Sequence, residues 1–119
     1  MGEETPSLPP QLREQLLRFQ QLQRTLEVVV SQKTQLELEF SEIERALSEL
    51  EKMDDETAVY KSVGSLLVRS GRQKVMDELK DRKDIVNTRV TVLARQEEST
   101  RKKLMELQKR VQAQLKRAE

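Results

Sequence analysis

Ala58-Val59-Tyr60-Lys61-Ser62-Val63-Gly64-Ser65-Leu66-Leu67-Val68-Arg69-Ser70-Gly71 decides the fold. It is rich in Val, with Tyr60 beside it and Gly64-Ser65 at its centre. Gly-Ser suits a two-residue hairpin turn, and the flanking β-branched and aromatic residues suit strands. Folding about that turn pairs Val63 with Leu66, Lys61 with Val68 and Val59 with Ser70 on one face. Tyr60, Ser62, Leu67 and Arg69 fall on the other. Both faces then carry large apolar groups, which a lone two-stranded ribbon cannot bury, and its outer edges stay unpaired. The hairpin needs other hairpins, supplied by other chains.

On either side the texture changes to helix. Prolines occur only within the first ten residues, and neither flank contains glycine beyond the first residues. In a heptad on 9–53 the a positions are Leu12, Phe19, Leu26, Lys33, Phe40 and Leu47. The d positions are Gln15, Leu22, Val29, Leu36, Ile43 and Leu50, and ten of these 12 are apolar. Six heptads without a slip predict a coiled-coil helix roughly 65 Å long. In 72–119 the a positions are Met76, Lys83, Val90, Glu97, Leu104, Val111 and Ala118. The d positions are Leu79, Val86, Leu93, Thr100, Leu107 and Gln114, with breaks at Lys83 and across Glu97 and Thr100. Ser70 and Gln73 have capping-box spacing for the start of this helix. Asp54-Asp55-Glu56 reads as a loop.

Charge sorts with the helices. Residues 1–53 carry 6 Lys/Arg against 10 Asp/Glu, and residues 54–119 carry 16 against 11. Opposite sign favours pairing the two helices with each other. Two similar helices joined by a short reversal run antiparallel, with both termini at one end and the hairpin at the other. The expected fold is therefore mainly α: a long antiparallel two-helix coiled coil joined by a single β-hairpin that assembles with hairpins of other subunits. Its parts are a flexible N-terminal tip (1–8), coiled-coil helix 1 (9–53), the loop and hairpin as oligomerisation platform (54–71), and coiled-coil helix 2 (72–119).

Composition narrows the function. The 119 residues are 36% charged, 35% hydrophobic and 3% aromatic, with no Cys and no His. That removes disulfides, thiolate and imidazole metal sites and the usual nucleophiles and general base. No apolar run approaches a membrane span, and Met-Gly-Glu-Glu-Thr-Pro is not the start of a signal peptide. The expectation is a cytoplasmic protein that is not an enzyme, with no cofactor and no metal, and no membrane or nucleic-acid partner. Asp54-Asp55-Glu56 lacks the spacing of a calcium loop. Lys33 at an a position specifies register or partner, or else serves function; a polar layer with Glu97 and Thr100 is the simplest reading. Lys102-Lys103, Lys109-Arg110 and Lys116-Arg117 read as an outer face complementing the acidic first helix, the alternative being phosphate contacts. Near the termini, Leu8, Leu12, Leu16, Leu17 and Phe19 lie opposite Val111 and Leu115. Leu16 and Leu17 fall outside the seam, so either another helix packs there or the surface binds something.

This layout resembles the prefoldin family, over essentially the whole chain. The stretch Val59-Tyr60-Lys61-x-Val63-Gly64-x-Leu66-Leu67-Val68 carries most of the likeness; Gln32-Lys33 and Gln96-Glu97 add to it. The single hairpin is similar to the β-type subunits, since α-type subunits carry two, and the compact length is similar to the archaeal form. The resemblance implies a hexamer of two α-type and four β-type subunits, with hairpins forming a double β-barrel platform. It implies coiled-coil tips that hold unfolded clients without ATP and deliver them to a group II chaperonin. Carried onto this chain, the subunit interface is Val59, Tyr60, Val63, Gly64, Leu66, Leu67 and Val68. The client-binding tip is Leu8, Leu12, Leu16, Leu17, Phe19, Val111 and Leu115. The alternatives are a structural coiled-coil scaffold without client binding and a nucleic-acid-binding coil.

Overall fold

The computed structural model describes residues 8–118, apart from the Ala118 side chain. Residues 1–7 of the expected flexible tip, Glu119 and the Ala118 side chain at its a position lie outside the described residues. The chain runs α1 (Pro10–Glu51), β1 (Val59–Val63), β2 (Leu66–Ser70) and α2 (Arg72–Ala118). The two strands form an antiparallel hairpin in the expected register, Val63 opposite Leu66 and Val59 opposite Ser70. Gly64 has φ +58°, and among the described residues no other has positive φ. Positive φ at the first turn residue and negative at the second suit a II′ turn, where glycine escapes the Cβ penalty.

Local chemistry fixes the helix ends. α1 begins on prolines because the first N–H groups of a helix lack intrahelical partners anyway. Its first i→i−4 bond is Arg13 N–H to the Pro9 carbonyl, 3.0 Å. At its C-terminus the amides of Lys52 and Met53 donate to the carbonyls of Glu49 and Leu50, both 3.2 Å, tightening the last turn to i→i+3 spacing. Asp54 then turns the chain. Its Oδ1 accepts from Glu56 N–H at 3.1 Å and from the Thr57 hydroxyl at 3.0 Å.

The Ser70–Gln73 capping box does not form. Ser70 stays in the β ladder opposite Val59. The Val75 amide donates to the Gly71 carbonyl at 3.1 Å, so Gly71 takes the cap position. The Gln73 side chain instead donates to Asp77 Oδ1 at 2.9 Å. Pairing of the strand up to its last residue outcompetes the side-chain cap.

The chain divides into two compact units. The hairpin unit, Gln32–Val92, holds the second half of α1, the hairpin and the start of α2. Its core is Ile43, Leu47, Leu50, Val59, Met76 and the fully buried Val86, with Leu36, Phe40, Val75, Leu79 and Val90 packed around it. The terminal unit contains the described residues up to Ser31 and those from Leu93 onward. Its core is Leu12, Leu107 and Val111, with Leu16, Phe19 and Leu22 partly buried against it. Every a and d position with a described side chain is buried or half-buried, the polar ones included.

The polar core positions are accommodated locally. Lys83 keeps its stem in the seam while its ammonium lies 5.4 Å above the Phe40 ring and 3.5 Å from Glu44 Oε2. Thr100 is buried and its hydroxyl donates to the Gln96 carbonyl one turn back, 2.8 Å. Lys33 is half-buried in the hairpin unit, and Glu97 half-buried in the terminal unit. Arg101 holds the Glu97 carboxylate at 3.0 Å.

Candidate functional site

Two surfaces stand out, one in each unit. On the hairpin, Tyr60, Val63, Leu66, Leu67 and Val68 are all exposed, with Leu67 open to 74% and Leu66 to 65%. They lie on both faces of the ribbon. The base of the ribbon is fixed by contrast. Val59 is buried, and its side chain joins the core formed with α1 and α2, so it anchors the hairpin to its own chain. On the same face, the Lys61 ammonium donates to Glu78 Oε2 of α2 at 2.7 Å. That bond holds the Glu78 carboxyl below the ordinary carboxylate value. Gly64 makes the turn and has open space around it, so its role is conformational.

Arg72 is a structural residue that periodicity did not reveal. Its Nε donates to the Leu50 carbonyl at 2.7 Å and a terminal nitrogen donates to Asp55 Oδ1 at 3.0 Å. One guanidinium thus closes the C-terminus of α1, the acidic loop and the start of α2 onto each other. Further along, Arg82 grips Glu39 with both nitrogens, at 2.6 and 2.9 Å. The pair lowers the Glu39 pKa and raises that of Arg82, through the hydrogen bond first and charge second. Together with Lys83–Glu44, this is the helix-to-helix charge pairing expected from the composition.

In the terminal unit, Leu12 and Val111 meet in the core with Leu107, while Leu16 and Phe19 are partly buried against it. Leu8, Leu17 and Leu115 remain exposed, Leu17 to 60%. The expected tip residues therefore separate into a seam and an outer set. Leu115 shares an open groove with Lys109 and Lys116. Lys102-Lys103, Lys109-Arg110 and Lys116-Arg117 are all exposed, and the expectation that an acidic first helix complements them fails here. In residues 8–31 the only acids are Glu14 and Glu27, beside Arg13, Arg18 and Arg24. The acids of α1 are concentrated between Glu37 and Glu51, in the other unit.

Among the described residues, no group of three or more His, Cys, Asp or Glu side chains converges to hold a metal ion. No described helix is long and apolar enough to cross a membrane.

The sequence pattern of prefoldin subunits matches residues 13–118. The prefoldin subunit beta of Archaeoglobus fulgidus is 42% identical over 112 residues, which is 94% of this chain and 93% of that one. That of Methanothrix thermoacetophila is 44% identical over 101 residues, covering 85% and 84%. The crystal structure of the prefoldin beta subunit from Thermococcus strain KS-1 superposes with a TM-score of 0.80 at 36% identity. It covers 93% of this chain and 97% of that one. With two long helices, a single exposed hairpin and a family match along nearly its whole length, the chain belongs to the prefoldin subunit family, on its β-type side.

Proposed function

We propose that this chain is the β-type subunit of an ATP-independent holdase. In this reading two α-type and four β-type subunits join through their hairpins, and the coiled-coil tips hold unfolded proteins and deliver them to a group II chaperonin in the cytoplasm. Residues 54–71 form the assembly element, and 9–53 and 72–119 the arms. One observation carries the reading: the hairpin exposes Tyr60, Val63, Leu66, Leu67 and Val68 on both faces while its base is fixed by Val59 and the Lys61–Glu78 bond. A rigidly anchored apolar ribbon with open edges is stable in water once other strands cover it. Leu8, Leu17 and Leu115 supply the client contact, backed by the seam residues Leu12, Phe19 and Val111 and by the half-buried Leu16. Each patch is small, so holding a client depends on several tips acting at once, and release needs no nucleotide.

The test mixes the chain with an α-type prefoldin subunit, measures mass by light scattering, and then measures aggregation of a denatured protein on dilution without ATP. A defined heterohexamer that suppresses aggregation is expected. A chain that stays monomeric or dimeric, or an assembly that leaves aggregation unchanged, contradicts the reading.

A further inference from the structure

The terminal unit carries a charge its own helices do not balance. Among its described residues are 11 Lys/Arg and 5 Asp/Glu, whereas the hairpin unit has 11 and 13. The excess is ordered along α2. Lys102, Lys109 and Lys116 recur every seven residues, two helical turns or about 10.5 Å apart. Lys103, Arg110 and Arg117 repeat beside them with the same period. Lys102 lies 3.5 Å from Glu98 on its own helix. Among the described residues the other five have no ion-pair partner. Apolar surface is interleaved with this ladder. Met105 is 57% exposed and Leu115 46%. An open groove on α2 is lined by Lys109, Gln112, Ala113, Leu115 and Lys116, with an amine at either side of apolar carbon.

We propose that this surface makes the terminal unit selective for unfolded segments in which apolar residues alternate with carboxylates. The inference rests on the holdase reading and names the client class. Leucine and methionine supply the contact shared by all clients. The lysine ladder adds exposed ion pairs for acidic ones and repels basic ones, a difference in affinity that apolar contact alone cannot give. A polypeptide fits better than a nucleic acid. The one aromatic ring of the unit, Phe19, is half-buried against the Leu12–Leu107–Val111 core, leaving no stacking platform for bases.

The experiment uses the assembled complex containing the full chain and three fluorescent peptides of equal length and leucine content. Their polar positions are all Glu, all Ser or all Lys. Three exposed ion pairs of ordinary strength multiply to about tenfold, so the Glu peptide should bind about tenfold tighter than the Ser peptide at low salt, and the Lys peptide weakest. The gap should close near 0.5 M salt, where screening falls well inside the 10.5 Å repeat. K102Q/K109Q/K116Q should erase the gap between the three peptides. Equal binding of all three peptides overturns the inference while the holdase reading stands. Binding of none, with the hexamer intact, overturns both. A single-stranded RNA probe bound more tightly than the Glu peptide would reassign the ladder to phosphate.

Discussion

Replacing Val63 and Leu67 with Asp should dissolve the assembly and leave the chain folded. The two residues lie on opposite faces of the hairpin, and in the single chain they are 51% and 74% exposed. Burying a whole Leu or Val side chain is worth roughly 2 kcal/mol. Covering the open part of Leu67 therefore contributes about 1.5 kcal/mol, and that of Val63 about 1 kcal/mol. The two Asp residues forfeit both contributions and add one unpaired carboxylate on each face, whose enforced burial costs several kcal/mol more even after relaxation. A loss above about 5 kcal/mol per hairpin raises the dissociation constant more than a thousandfold. Within the chain the same substitutions fall on exposed surface, where effects stay within about 0.5 kcal/mol. Light scattering should then show a collapse in mass, and circular dichroism an unchanged helix signal. The single variants separate the faces, since V63D spoils one and L67D the other. A double variant that keeps the full mass would refute assembly through the hairpin.

Three further outcomes follow from the packing. Val86→Ala removes two methyl groups at the one fully buried side chain in the hairpin unit; it should cost about 2 kcal/mol in urea unfolding. Arg72→Met leaves the Leu50 carbonyl and Asp55 without their shared donor. About 1–2 kcal/mol should be lost, with faster amide exchange confined to 50–57. Glu39 has a folded pKa below its ordinary 4.5. Its contribution is therefore complete above that value and disappears as pH falls through the depressed one, so thermal melts below pH 4.5 should fall more steeply for the native chain than for Glu39→Gln.

Most of the fold was legible because its two periods do not overlap. Leu12, Val29, Ile43, Leu47 and Leu50 recur at coiled-coil spacing, and all five are buried. Around Gly64 the alternation of two set both turn and register, since a slip by one residue would exchange the faces. What periodicity could not show depends on where the elements meet. Val59 has the same strand character as Val63, yet it sits at the ribbon base and enters the core beside Leu50 and Met76. Arg72 looks like any helix-surface base until the end of α1 is brought to it. The Ser70–Gln73 spacing was sound as a local pattern and lost to the neighbouring strand. Half-chain net charge also hid a gradient within α1, whose acids are concentrated between Glu37 and Glu51 and whose start carries Arg13, Arg18 and Arg24 beside only Glu14 and Glu27.

In the proposed function, exposed leucines of the terminal unit hold clients while the hairpin alone holds the assembly. Leu17 and Leu115, exposed to 60% and 46%, are the residues to change, both to Ser. Each substitution removes apolar contact at roughly 25 cal/mol per Å², and the loss repeats on every arm. The direct measurement is suppression of aggregation of a diluted, denatured protein by the native and variant complexes, after light scattering has confirmed equal mass. An intact hexamer with strongly reduced suppression is expected. Full suppression by the variant hexamer would refute client binding at these leucines and move it elsewhere on the complex.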